Sequence, residues 1–211
     1  YLDTNHWPLD ETSPLDSLSR HSGKADTESW LRNELIPFTS FRPTYIYGPG
    51  NYNPIETWFF DRLLNNRVIP IPGNGHTITQ LGHVEDLSNA ICLSISNDVS
   101  LNKIYNCSGK KGVTFLGIID VAARVCGIQP SDIRLLSYDP HKFSSKERKA
   151  FPLRLKPFFT DVSLLERDLN WSSEFDLFSG FLDSYQNDYK NSVDKKIDFT
   201  LDDDLIDQVG N

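Results

Sequence analysis

The sequence contains no methionine and only three cysteines, Cys92, Cys107 and Cys126, spread so widely that no CxxC pair exists. That spacing fits reduced, buried thiols in a cytosol-like compartment better than a disulfide framework or a zinc site. No apolar run approaches the roughly 20 residues needed to span a bilayer, so no membrane segment is expected. Basic residues are the scarcer charge, 21 against 29 acidic, for a net charge of -8. Such a balance predicts solubility and argues against indiscriminate binding to polyanions. The opening, YLDTNHWPLDET, is polar and starts at Tyr1. It reads as the interior of a longer protein, so any targeting segment would lie upstream.

What is present suffices for a core: 38% of the residues are hydrophobic and 12% aromatic. Residues 8–23 are rich in Pro, Ser and Asp and read as loop. A helix is expected from Lys24 to Glu34, with Trp30, Leu31 and Leu35 as its apolar side, before Pro37 stops it. FTSFRP then reads as a strand, IETWFFDRLLN as an amphipathic helix, VIPIP as a short strand and HTITQLGHV as one more. Leu87, Ile91 and Ile95 recur four apart and predict the buried face of a helix over VEDLSNAICLSIS. KIYNCSG and DIRLLSY are strands on either side of a helix that Thr114 caps and Gly127 ends. A short helix runs to Leu169 and an amphipathic one covers Leu177–Tyr189. The alternation predicts an α/β architecture. From Val193 the chain turns acidic, and 193–211 is expected to be a mobile tail after a folded unit spanning 1–192.

Four stretches carry a family resemblance. HSGKADTE (21–28) resembles the YxxSKxxxE catalytic helix of the extended short-chain dehydrogenases, the NAD-dependent epimerase/dehydratase group. FRPTYIYGPG (41–50) is similar to their RxxNVYGP strand and turn, and GNGHTITQLGHVEDL (73–87) to GDGxxxRDFxHVDDL. LNWSSEFDLFSGF (169–181) is similar to LGWxPxxxLxxG. The order and distances match across residues 20–182. The resemblance implies the C-terminal part of a Rossmann-like, doubly wound parallel sheet with the smaller substrate-domain elements. The dinucleotide-binding half, with its GxxGxxG turn, would lie upstream. It further implies that Lys24, Pro43 and Thr44 border a cofactor, and Tyr45, Thr79 and His83 a sugar-nucleotide pocket. NAD(P) is then expected only together with the missing N-terminal half.

Several departures cut against redox chemistry. The family's general acid/base is a Tyr four residues before the Lys; here that residue is Arg20, whose guanidinium does not deprotonate at working pH. The family's diphosphate-binding Arg falls on Thr79, which removes a charge-assisted phosphate contact, and its Asn falls on Tyr45. His83 and Asp86 remain as candidates for a catalytic pair, but they read better as residues that position the following helix, with Asp86 a dipole-stabilised carboxylate near its N-terminal turn. Asp202–Asp204 is the only other acidic cluster, and no metal site is expected there.

One further feature is a charge asymmetry. Residues 142–156 hold Lys142, Lys146, Arg148, Lys149, Arg154 and Lys156 against the single acid Glu147, with Phe143 and Phe151 interleaved and Phe158 following. Basic side chains with aromatics suit single-stranded or looped RNA; a solvated loop pinned by its phenylalanines is the structural alternative. SRHSGKADTE, RPTYIYGPGNYNPIETWFF, PIPGNGHTITQLGHVEDL and EFDLFSGFLDSY…DFTLDDD bring the sequence nearest to the chloroplast stem-loop-binding proteins and their cyanobacterial relatives. That resemblance implies binding of stem-loop or ribosomal RNA, Mg²⁺-assisted endoribonuclease activity in some members, and a plastid stroma or bacterial cytoplasm as location. It leaves room for a homo-oligomer. Two readings stand: an RNA-binding protein on a dehydrogenase scaffold without its catalytic Tyr, or an NAD(P)-dependent nucleotide-sugar epimerase, dehydratase or reductase.

Overall fold

A computed structural model of the chain describes residues 1–19, 21–144, 147–192 and 197–210. Arg20 and Lys146 therefore lie outside the described residues. Three strand pairs are parallel: β1 (Thr39–Pro43) with β6 (Lys103–Cys107), β2 (Tyr45–Tyr47) with β5 (Leu81–His83), and β3 (Ile69–Pro72) with β8 (Leu135–Tyr138). A parallel pair needs a long crossover, and helices fill that role. Helix α2 (Ile55–Leu64) separates β2 from β3, α3 (Val84–Ser94) separates β5 from β6, and α4 (Phe115–Cys126) precedes β8. One short antiparallel pair, β4 (Ile78–Thr79) with β7 (Val113–Thr114), completes the strands. HTITQLGHV is thus two short strands rather than one, because its halves pair with different partners.

The caps fall where the sequence places them. The Thr114 hydroxyl accepts from the Gly117 N–H at 3.1 Å, and Gly127, at φ +73°, closes α4 in the left-handed conformation that costs glycine least. The main core is aromatic: Phe59 and Phe60 of α2, Phe115 of α4, Phe151, and Phe181 of α6 (Leu177–Asn187) are all buried. Phe60 meets Phe181 edge-on at 5.8 Å between centroids, an arrangement worth more than its buried area alone. A second cluster joins Ala90 of α3, Tyr105 and Cys107 of β6, Leu165 and Leu169 of α5 (Ser163–Leu169), and Trp171. A third, smaller one gathers Tyr138, Ala150 and Leu205.

Four expectations need correction. Residues 200–210 form a helix, α7 (Thr200–Gly210), rather than mobile tail: Leu205 is fully buried and Arg62 holds the carboxylate of Asp202. On α3 it is Ala90 and Asp86 that are buried, while Ile91 and Ile95 are exposed. The four-residue spacing marks a face correctly, but the covered face is the one turned toward β6 and Trp171. Helix α1 (Ser22–Asn33) buries no residue, and Trp30 stays exposed. Cys92 is exposed, on the solvent side of α3, whereas Cys107 is buried and Cys126 half-buried. Among the described residues no helix is long and apolar enough to cross a membrane.

Candidate functional site

A concavity of about 1030 Å³ lies between α1, strand β1 and the segment around residues 154–160. Lys24, exposed on α1, lines it together with Pro43 and Thr44 at the end of β1. Thr44 is buried and its hydroxyl has no hydrogen-bond partner. The exposed Lys24 ammonium has the chemistry to meet a ribose hydroxyl there, while the enclosed Thr44 hydroxyl does not reach the opening. In the same wall, Arg42 donates to both carboxylate oxygens of Glu28, and also to the Glu11 carbonyl and the Tyr1 hydroxyl, both at 3.2 Å. Sequence reasoning passed over this pair, although both residues stand inside the quoted motifs FRPTYIYGPG and HSGKADTE.

Tyr45, at the family's Asn position, is committed elsewhere. Its hydroxyl accepts from the Arg154 backbone N–H at 2.7 Å, tying the basic segment to the strand that would border a sugar. Thr79, at the position of the diphosphate Arg, is buried with its hydroxyl unpartnered. Next to Thr79 in the chain, Gln80 is saturated: its amide donates to the Gly109 and Thr160 carbonyls and its oxygen accepts from Thr160 N–H and hydroxyl.

His83 and Asp86 sit inside the protein and away from the concavity. The His83 Nδ1 accepts from the Glu85 N–H at 3.3 Å and so caps α3, while Nε2 lies 3.3 Å from an Asp183 carboxylate oxygen. Phe175 stacks on the imidazole at 3.8 Å and Tyr47 meets it edge-on. Burial holds His83 below the usual imidazole range, with Asp183 and Asp86 pulling the other way. Asp86 accepts from the Glu174 N–H at 2.8 Å, and its own carbonyl accepts from the Trp171 indole at 3.0 Å. Burial pushes its carboxyl upward despite the backbone N–H groups of Glu174 and Phe175. Both residues thus tie α3 to the segment preceding α6, and His83 offers no open face to a substrate.

The basic segment is divided by its own anchors. Phe151 and Leu153 are buried in the main core, and Phe143 packs beside the third cluster. The phenylalanines are therefore pins rather than stacking platforms. Arg154 and Lys156 emerge at the concavity, Arg154 lying 4.7 Å over the Phe158 ring and Lys156 pairing with Asp3. Lys142, Arg148 and Lys149 emerge exposed on the other side of those pins, around the turn that packs against α7. Among the described residues no group of three His, Cys, Asp or Glu could hold a metal ion. Of the Asp202–Asp204 run, Asp202 and Asp203 are engaged by Arg62 and Arg67.

Residues 8–108 match the model of the NAD dependent epimerase/dehydratase family. The chain is 42% identical over 207 residues to the chloroplast stem-loop binding protein of 41 kDa b of Arabidopsis thaliana, covering 98% of this chain and 54% of that protein. Among solved structures, it is similar to a dTDP-glucose 4,6-dehydratase of Bacillus anthracis in complex with NAD: TM-score 0.70, 16% identity, 89% of this chain and 58% of that one. It is also similar to a UDP-glucose 4-epimerase of Thermotoga maritima with UDP-glucose: TM-score 0.69, 19% identity, 86% of this chain and 57% of that one. The chain spans just over half the length of each of these proteins. At such identities the two enzymes speak for the fold alone.

Proposed function

We propose, for a chain that belongs to the NAD dependent epimerase/dehydratase family, that it works as part of a stem-loop RNA-binding protein. The observation that carries this reading is the 42% identity to a stem-loop binding protein across 98% of the chain. Geometry supplies a surface consistent with it. Lys142, Arg148 and Lys149 stand exposed beside Phe143 and Phe151, which pack against the protein. By the relative's name, the proposal also takes a chloroplast as the setting.

A second reading, NAD(P)-dependent chemistry on a nucleotide sugar, is favoured by the concavity holding Lys24, Pro43 and Thr44. A bound dinucleotide would supply the hydride acceptor there. Against it stand Arg20 at the position of the acid/base, and Tyr45, whose hydroxyl is already used by Arg154.

The test is a titration with stem-loop RNA at several salt concentrations. Affinity should fall steeply with salt, since each single-stranded phosphate neutralised releases about 0.7 of a counterion. Replacing Lys142, Arg148 and Lys149 together by Ala should flatten the log–log slope by up to about 2 and weaken binding to all sequences alike. All three are exposed, so the variant should keep the parent's thermal midpoint. An unchanged slope in that folded variant removes this surface from the argument, and no binding by the parent removes the reading itself.

A further inference from the structure

Helix α7 carries Asp202, Asp203, Asp204 and Asp207 and no basic residue. It lies across basic side chains of α2 and the turn after it. Arg62 grips Asp202 with two bonds, Nε to Oδ2 at 2.7 Å and Nη2 to Oδ1 at 2.8 Å, and both residues are buried. Asp203 pairs with Arg67. The Arg62 guanidinium lies 3.8 Å over the Trp58 ring, and Phe199 places its ring 5.4 Å from Arg62 and 4.8 Å from Arg67. On its other flank α7 packs against the Glu147–Ala150 turn, where Gln208 donates to Glu147 at 2.8 Å. Its apolar side chains join the third cluster: Leu205 is buried with Tyr138 and Ala150, with Leu201 and Val209 at the margin.

A carboxylate held by both arms of a guanidinium occupies the geometry a phosphodiester takes. An arginine stacked on a tryptophan is the kind of platform on which single-stranded bases rest. Arg62 and Arg67 face α7, Trp58 backs the Arg62 guanidinium, and Arg148 and Lys149 lie on the turn against the other flank of the helix. The attachment is also of a kind that can let go. A buried ion pair gains little net stability, because desolvation offsets most of its attraction. An 11-residue helix does not hold its own shape in water. Docking against a small satellite cluster makes α7 a unit able to open without the main core.

We propose that α7 is a built-in competitor for RNA: its carboxylates cover a phosphate- and base-binding face made by Arg62, with Trp58 behind it, and Arg67, and the helix undocks when single-stranded RNA takes that face. The proposal rests on the RNA-binding reading. It is tested by amide hydrogen exchange of the intact protein with and without saturating RNA, and by RNA titration of a variant lacking everything from residue 197 onward. RNA should speed exchange over residues 200–210 while α2 and α4 keep their protection. The shortened variant should bind single-stranded RNA about tenfold more tightly at low salt. Its log–log salt slope should be steeper by about 1.4, for two added arginine contacts. Unchanged or slower exchange in α7 on RNA saturation overturns the proposal. So does a folded shortened variant that binds RNA no more tightly than the parent. Should that variant fail to fold, the exchange measurement on the intact protein decides. If the parent itself binds no RNA, the broader reading falls and this proposal with it; if the parent binds and only these readouts fail, this proposal alone falls.

Discussion

Glu56 is fully buried on α2 with its two oxygens in unequal circumstances. One accepts from the Gly48 N–H at 2.9 Å and from the Ser184 hydroxyl; the other has no partner. Burial pushes this carboxyl above its usual range, and the two hydrogen bonds offset part of that. A carboxyl raised by folding contributes stability that is fully present below its unfolded value, near 4.5, and lost as pH climbs through the folded value. Glu56→Gln keeps the accepting oxygen and cannot ionise. The variant should therefore give up less stability than the parent between pH 4 and 7, and match or exceed the parent's urea midpoint at pH 7. If both proteins lose the same amount across that interval, Glu56 is not the group responsible, and Asp86, likewise raised by burial, becomes the next to replace.

At the scale of elements, α6 approaches β2 so closely that one position admits no side chain. A Cβ on Gly180 would run into the ring and hydroxyl of Tyr47, which is itself buried between His83 and Phe181. Gly180→Ala should gain about 1 kcal/mol of helix propensity and lose about 2–3 kcal/mol to overpacking, since the contacts are severe. The net loss of about 1–2 kcal/mol would appear in thermal melts as a midpoint lower by about 2–8 °C. An equal or higher midpoint would mean that Tyr47 swings aside at little cost. Elements were legible in the sequence to the degree that their signals were local. Thr114 and Gly127 bracket α4 because both caps act within a turn of the residues they serve. Helix α7 was missed although Leu201, Leu205 and Val209 recur four apart, because the intervening Asp run reads as solvated. What neutralises it is Arg62, 140 residues away along the chain. The outward turn of Ile91 and Ile95 was hidden for the same reason, since spacing marks a face without saying what covers it.

For the whole molecule, the same division of local and distant information holds at the site. Lys24, Pro43 and Thr44 converge on one concavity because each belongs to a contiguous motif that the fold keeps intact. The separation of Arg154 and Lys156 from Lys142, Arg148 and Lys149 could not be read, because it depends on Phe151 and Leu153 being drawn into the core between them. No GxxGxxG turn occurs among these 211 residues. A ribose-side Lys alone would leave the pyrophosphate without backbone donors. Calorimetry of this chain with NAD⁺ and NADP⁺ should accordingly show no micromolar binding, and such binding would point to a nucleotide site outside the concavity.

Cys92 has a practical consequence. Its thiol is exposed on α3, whereas Cys107 and Cys126 are both pushed up to about 12 by burial and stay protonated. A maleimide dye would therefore mark this one position without mutagenesis, giving an optical reporter on α3. The same lone reactive sulfur can couple two chains end to end once air oxidises it. A covalent dimer of that origin would vanish with dithiothreitol, so any stoichiometry measured for this protein needs a reduced sample beside the oxidised one.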